Sequence, residues 1–254
     1  MKAKKSFGQH FLTSKQAVLT IVEAGDIRKG QLIVEIGPGK GVLTEELLKN
    51  GKVLAIEKDA DMVSILKDKF EKEIKDKKLE LLQMDVLDFD TKNLGDYKLI
   101  SNIPYYITGE ILRKFLEEEN KPSDIVLLVQ KEVAERIIAK NSKESILSLS
   151  VKFFGKPKII KTVKAGSFNP KPKVDSAILK ISNIIKTNPK NKDNFFKIVK
   201  LGFSHKRKKL FGNLSLSYSK DQITLAFEKL NLDANCRSED LDLDTWQKLS
   251  EIID

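Results

Sequence analysis

The sequence predicts an α/β protein with a doubly wound, mostly parallel sheet, followed by a small all-helical segment. Short β-branched runs alternate with helical patterns between about residues 30 and 130, which is typical of parallel sheets whose crossovers are helices. A glycine-rich loop joins the first of these strands to a helix. After the polar, basic stretch at 184–194 no strand pattern follows, and three or four short helices are expected.

Seven runs predict the strands. The first five are LIVEIG (32–37), KVLAIE (52–57), LELLQM (79–84), KLISN (98–102) and DIVLLV (124–129). Helices are predicted between these strands, because apolar residues recur at helical spacing in VLTEELLKN, ADMVSILKDKF and TGEILRKFLEEE. KIIKTVKA and DSAILKI flank the Pro-rich loop GSFNPKPKV, so they are expected to close the sheet as an antiparallel pair. The domain boundary is predicted near residue 185, with domains at 1–185 and 186–254.

The charge of the chain is uneven. In 254 residues, 46 Lys and Arg against 36 Asp and Glu give a net charge of +10. Nine basic residues and one acid lie between residues 186 and 209, and the first 16 residues hold four lysines and no acid. A solvated face explains either run alone, but two basic segments flanking one core favour an RNA or DNA partner. The candidate RNA contacts are Lys197, Lys200, Lys206, Arg207, Lys208 and Lys209.

Cysteine and histidine content limits the chemistry. One cysteine excludes an intramolecular disulfide, and with only two histidines in the chain we expect no structural metal site. The basic N-terminus is not followed by an apolar signal region, and no stretch approaches membrane-spanning length. We therefore expect a cytoplasmic protein without metal or membrane association.

The loop VEIGPGKG (34–41) predicts a nucleoside-type cofactor site. Glycines at 37, 39 and 41 permit torsions and close approaches that a side chain forbids. Glu57 follows Gly37 by 20 residues, where a ribose diol is held in nucleotide-binding α/β folds, and Asp85 follows the third strand. NAD is the alternative, but Gly41 comes one residue too early for a dinucleotide fingerprint. Glu35 suits a cationic ligand end, which favours S-adenosylmethionine.

The string SNIPYYITGEIL (101–112) predicts a site for an aromatic amine at the end of the fourth strand. The Asn102 side-chain carbonyl and a backbone carbonyl near Pro104 can accept hydrogen bonds from an exocyclic NH₂ group and orient its lone pair. Tyr105 offers a stacking surface for a base. A strand end merely capped by Asn and followed by a Pro turn is the structural alternative. Tyr106 is expected to pack.

These motifs together resemble those of the ribosomal RNA adenine dimethyltransferases along nearly the whole chain. The matching segments are GQHFL (8–12), VEIGPGKGVLTEEL, AIEKD, MDVLDFD, SNIPYYI, LLVQKEVAERI and SFNPKPKVDSAILKI. The resemblance implies a class I S-adenosylmethionine-dependent methyltransferase fold, Rossmann-like with a mostly parallel seven-stranded sheet, and a small helical domain that binds RNA. It also implies transfer of two methyl groups to adenine N6.

The resemblance further implies roles for single positions. The donor contacts of the family fall on His10, Leu12, Gly37, Glu57, Asp85 and Asn102, beside Glu35, Gly39 and Gly41 of the loop. The target-base roles fall on Asn102, Pro104 and Tyr105, with Phe168 as a second stacking face. Position 10 is usually Asn in this family and is His here, which puts any side-chain contact of that residue in doubt.

Two branches of the family share these motifs. One modifies small-subunit ribosomal RNA during maturation, and the other modifies large-subunit RNA and confers macrolide resistance. QKEVAERI, PKVDSAILKI and GFSHKRKKLFGNL (202–214) resemble the small-subunit branch. The expected substrate is therefore a pair of adjacent adenines in the 3′-terminal hairpin loop, presented to a monomeric enzyme on an immature small ribosomal subunit.

Overall fold

The computed structural model describes residues 10–187 and 189–253. The chain divides into two compact units, Met1–Ala134 with Gly155–Lys186 and Glu135–Phe154 with Thr187–Asp254. The sequence places residues 135–154 in the first domain, whereas in the structure they belong to the second unit. The reason is aromatic packing, because the ring of Phe153 stacks on that of Phe195 at 4.4 Å.

The first unit is built on a seven-stranded sheet of order β4-β3-β2-β5-β6-β9-β7. Its strands are β2 (Leu32–Ile36), β3 (Lys52–Glu57), β4 (Leu79–Gln83), β5 (Tyr97–Asn102), β6 (Ile125–Gln130), β7 (Lys156–Val163) and β9 (Ser176–Ser182). β2 to β6 are parallel, and β9 lies antiparallel between β6 and β7. The predicted α/β class and the antiparallel closing pair are confirmed.

The helices of this unit alternate with the strands along the chain, as in other doubly wound sheets. They are α1 (Lys15–Gly25), α2 (Val42–Leu47), α3 (Ala60–Lys69), α4 (Glu71–Lys75) and α5 (Thr108–Glu117); α6 (Lys131–Ile137) runs across the boundary between the units. Ser14 caps α1 by accepting a hydrogen bond from the Ala17 backbone N–H, and Asp59 caps α3 in the same way through Asp61.

A second, very small sheet was not predicted. β1 (Phe11–Leu12) pairs antiparallel with β8 (Phe168–Asn169), so that Leu12 lies opposite Phe168. This ladder brings the GQHFL segment to the SFNP segment. Both Leu12 and Phe168 are buried in the same apolar core as α1 and one face of the large sheet.

The second unit is helical. It contains α7 (Ile146–Phe154), α8 (Lys192–Gly202), α9 (Leu210–Leu214), α10 (Lys220–Lys229) and α11 (Leu243–Ile252). Trp246 is fully buried and stacks on Phe203, which makes it part of the core of this unit. In the described part of the chain, no helix combines the length and apolar character that crossing a membrane requires.

Candidate functional site

A cavity of about 330 Å³ opens at the carboxyl edge of the parallel strands, a volume typical of small-molecule sites. The direction in which strands are added to the sheet reverses between β2 and β5. From β2 the chain adds β3 and β4 on one side, and from β5 it adds β6, β9 and β7 on the other. Ligands of open α/β sheets bind at this switch point. Most of the sequence-predicted residues line it: His10, Leu12, Glu35, Gly37, Gly39, Glu57, Asp85, Asn102, Pro104 and Tyr105.

Ser101 holds the two central strands at this point. The β2–β5 ladder runs only from Leu32 to Val34. Beyond it, the buried Ser101 hydroxyl accepts a hydrogen bond from the Ile36 N–H at 3.2 Å and donates to the Ile36 carbonyl. The side chain thus replaces ladder bonds where the strands part. Ser101 is not among the predicted site residues, and the signal for it in the sequence is a lone serine in a core strand.

The glycine loop is built around Glu57. Its Oε2 accepts from the Gly39 N–H at 3.2 Å, and its Oε1 accepts from the Asp59 N–H at 2.9 Å. Burial raises the pKa of Glu57, and these backbone donors oppose that effect. Because a carboxylate offers about four acceptor sites, both oxygens retain capacity toward the cavity. Glu57 is therefore fixed by the loop and still available to a ligand hydroxyl.

Glu35 is almost fully buried, and its Oε2 has no hydrogen-bond partner among the described residues. Burial raises the pKa of Glu35 to about 8; the Thr44 hydroxyl and Lys69 lower it, and Glu57 raises it further. An acceptor left unpaired inside a protein is costly. A cationic group in the cavity relieves that cost, which matches the role the sequence predicts for Glu35.

Asp85 is the third carboxylate that lines the cavity. It accepts a hydrogen bond from Lys58 Nζ at 2.8 Å and one from the Leu87 N–H at 3.0 Å. The Lys58 ammonium holds the pKa of Asp85 below its usual range, so the carboxylate is ionised at neutral pH. Asp85 is more exposed than Glu57 and Glu35, and it presents an acceptor near the mouth of the cavity.

The NIPY segment forms the far side. Asn102 Nδ2 donates a long hydrogen bond of 3.4 Å to the His10 carbonyl, which leaves Oδ1 as the acceptor. The half-buried ring of Tyr105 stacks on the His10 ring at 5.8 Å, and its hydroxyl lies 2.6 Å from Ser176 Oγ. Burial raises the pKa of Tyr105. His10 Nδ1 lies 2.8 Å from the Pro170 carbonyl, so this ring faces the protein.

Three predicted residues are placed differently. Gly41 is not among the described residues lining the cavity; it is a left-handed N-cap of α2, packed against Phe70. Phe168 is 4% exposed, lies in the core and does not line the cavity, so the structure gives no support to a stacking face there. Tyr106 was expected to pack, which is wrong, because it is 64% exposed at the cavity rim.

The structure adds Phe11 and Lys40 to the cavity wall. The Phe11 ring lies so close to the glycine loop that a Cβ on Gly39 would sit 3.0 Å from it, and Lys40 Nζ lies 4.9 Å from the ring centroid. Gly39, at φ +55°, therefore permits both the turn and the approach of Phe11. The signal in the sequence that could have identified Phe11 as a cavity residue is its position next to Leu12 in GQHFL.

The candidate RNA contacts lie in the second unit, and all six side chains are exposed. Lys197 and Lys200 are on α8, with Lys197 Nζ 5.6 Å from the Tyr218 ring centroid. The helix ends at Gly202, and Lys206, Arg207, Lys208 and Lys209 lie in the irregular segment between it and α9. Lys2, Lys4 and Lys5 lie outside the described residues.

Within the described ranges, no group of three or more His, Cys, Asp or Glu side chains is placed so that it could hold a metal ion.

Comparison with known proteins gives consistent matches. The family model "Ribosomal RNA adenine dimethylase" matches residues 1–254. A protein of Mycoplasma capricolum named ribosomal RNA small subunit methyltransferase A is 41% identical, over 100% of this chain and 98% of that protein. A protein of the same name from Dehalococcoides mccartyi is 40% identical over 98% of this chain and 88% of its own length.

Solved structures agree on the fold. A dimethyladenosine transferase from Plasmodium falciparum aligns with TM-score 0.79 and 28% identity, covering 94% of this chain and 96% of its own. The 23S rRNA methyltransferase ErmE aligns with TM-score 0.79 at 22% identity, over 96% of this chain and 99% of its own. The second similarity concerns the fold alone.

Proposed function

This chain belongs to the ribosomal RNA adenine dimethylase family, and we propose that its cavity carries out S-adenosylmethionine-dependent dimethylation of adenine N6 in small-subunit ribosomal RNA. One observation carries the assignment of the site. Glu57 and Asn102, predicted to hold the donor and the target amine, line one cavity at the switch point of the sheet.

The cavity residues fit a methyl donor of this kind. Glu57 retains acceptor capacity for a ribose diol, and the unpaired Glu35 Oε2 suits an ammonium group. Asp85 is an acceptor for an adenine amine, and Leu12, Ile36 and Val86 supply apolar wall. A pyrophosphate fits poorly, because the carboxylates of Glu57 and Asp85 line the same cavity and would repel its negative charge.

The residues of the NIPY segment would then prepare the nucleophile. When bound, S-adenosylmethionine supplies an electrophilic methyl group on a sulfonium. An exocyclic adenine amine is a weak nucleophile, because its lone pair is delocalised into the ring. Asn102 Oδ1 and the backbone carbonyl near Pro104 accept hydrogen bonds from this amine and favour a pyramidal nitrogen. Tyr105 stacks on the base, so that positioning and preorganised polar groups provide the catalysis.

The small-subunit substrate is supported by the names of the relatives at 40–41% identity. We propose the two adjacent adenines of the 3′-terminal hairpin loop as the target, on an immature small subunit, with a monomeric enzyme acting in the cytoplasm. Lys197, Lys200 and the basic turn 206–209 would neutralise RNA phosphates from the second unit, in a salt-dependent manner.

The test is incubation of the full-length protein with labelled S-adenosylmethionine and small subunits that lack dimethyladenosine, followed by mass spectrometry of the RNA. Dimethyladenosine at two adjacent positions is expected. Large subunits serve as the parallel substrate. Modification of the large-subunit RNA alone would overturn the small-subunit proposal and favour the large-subunit branch, whereas no methylated adenine in either would reject the activity.

A further inference from the structure

The outer edge of the seven-stranded sheet is unusually basic. β7 is the edge strand, and residues 155–174, which contain it and the following loop, hold six lysines and no acid. All six are exposed: Lys156, Lys158, Lys161, Lys164, Lys171 and Lys173. None of them belongs to the basic segments that the sequence analysis assigned to RNA.

A β-bulge gathers three of these lysines on one face. Lys156 and Lys158 are two residues apart and therefore share a face. Lys161 would point the opposite way in a regular strand. However, the register shifts between Ile159 and Lys161, so that Lys158 lies opposite Lys180 and Lys161 opposite Ile178. Residues 178 and 180 share a face, and the bulge thus returns Lys161 to the side of Lys156 and Lys158.

Among the described residues, only one of these six charges is neutralised by an ion pair. Lys164 forms an ion pair with Asp175 at 3.0 Å, but among the described residues no acid forms an ion pair with the other five lysines. Lys158 also faces Lys180 directly across the β7–β9 ladder. Like charges in that position repel and destabilise a sheet. An anionic partner would relieve this repulsion.

The same edge leads to the site. β7 ends at Val163, which lies opposite Ser176, and the Ser176 hydroxyl contacts the Tyr105 hydroxyl. The chain then passes through β8 to Pro170, whose carbonyl contacts His10 at the cavity. Lys171 and Lys173 follow directly. The lysines therefore form a path from the sheet edge toward the residues proposed to hold the target base.

We propose that Lys156, Lys158, Lys161, Lys171 and Lys173, here called the lysine edge, bind the phosphate backbone of the substrate RNA beside the target adenines. The proposal rests on the proposed function for the identity of the RNA. The lysine edge supplies sequence-independent affinity on the catalytic unit itself. Lysines also protect exposed edge strands from pairing with other chains, but Lys171 and Lys173 lie beyond β7, where there is no ladder to protect.

The experiment uses the full-length protein and an unmethylated RNA hairpin whose loop carries two adjacent adenines. The variant replaces Lys156, Lys158 and Lys161 together by Gln. The control replaces Lys67, Lys72 and Lys75 by Gln, since these exposed lysines lie on α3 and α4 by the opposite edge strand β4 and change the net charge equally. Binding is measured as a function of salt, and donor binding by calorimetry.

Loss of three phosphate contacts should reduce the slope of log K against log salt by about 2 and weaken binding about tenfold or more at low salt. Donor affinity and the control variant should match wild type. Equal weakening in both variants would show a net-charge effect only, and unchanged RNA binding with new aggregation would show edge protection; either result overturns the proposal. If wild type binds this RNA through the lysine edge but methylates no small-subunit adenine, the proposed function fails and the lysine edge stands.

Discussion

The hydroxyl of Tyr105 lies 2.6 Å from the hydroxyl of Ser176, a fully buried residue on the antiparallel strand β9. This contact ties the proposed stacking ring, which follows β5 in the chain, to β9, and β6 lies between these two strands in the sheet. Both residues are parts of motifs that the sequence alone can identify, but their contact spans 71 residues.

Replacing Ser176 by Ala should therefore loosen the Tyr105 ring. The half-buried phenol loses its partner, so we expect about 1 kcal/mol lower free energy of unfolding and a lower kcat/KM for RNA. The same substitution in a Tyr105→Phe background should have a much smaller effect. A double-mutant cycle in urea unfolding and single-turnover methylation measures this coupling, and additive effects would argue against it.

Asn102→Ala should reduce the methylation rate by about a hundredfold or more, because it removes the acceptor proposed to orient the amine. Donor affinity should change far less, since Glu35, Glu57 and Asp85 remain. Single-turnover rates and calorimetry separate the two effects. Asn93→Ala, an exposed amide outside the cavity, is the control. A normal rate in the Asn102 variant would reject the proposed role.

Glu57→Gln should weaken donor binding about tenfold or more, because the carboxylate hydrogen bonds to a ribose are replaced by a weaker, partly mismatched amide. Gln keeps one oxygen acceptor for the glycine loop, so folding should be largely retained. Glu80→Gln, on an exposed position of β4, is the matched control. Calorimetry measures the affinity of each variant for the donor. An unaltered affinity in the Glu57→Gln variant would exclude a contact between Glu57 and the ribose.

Glu35 should make stability depend on pH. Burial raises its pKa from 4.5 to about 8, so between these values the folded chain holds a proton that the unfolded chain has released. The free energy of unfolding therefore falls as pH rises through this window. The Glu35→Gln variant should lack this contribution, on the order of a few kcal/mol. Urea unfolding of both proteins from pH 4 to 9 measures the difference, and parallel curves would contradict it.

Gly41→Ala should destabilise the fold by about 2–4 kcal/mol. The residue has φ +72°, and a Cβ would lie 2.4 Å from Phe70, so backbone strain and overpacking add. Gly95→Ala is the matched control, with φ +71° and open space around the Cβ; it should cost only about 1 kcal/mol. Equal losses in thermal or urea unfolding would show that packing against Phe70 is unimportant.

The sequence predicted the elements that depend on local patterns. Buried β-branched runs identified the strands, and the glycine loop with Glu57 identified the cofactor side of the cavity. It did not predict the β1–β8 pair, because two-residue strands carry no periodicity. The grouping of residues 135–154 with the second unit and the burial of Phe168 were also missed. Each of these depends on packing between segments distant in sequence.

The β1–β8 pair has a consequence for the order of synthesis. His10 and Pro170, which meet beside it, are 160 residues apart, and β9 must insert between β6 and β7 after both have been made. A growing chain that ends before Phe168 has the parallel strands and the described residues that line the cavity, but it lacks the β8 partner of β1 and the Ser176 support of Tyr105. The ladder that holds Phe11 and Leu12 beside the cavity therefore forms only after this late segment has been made.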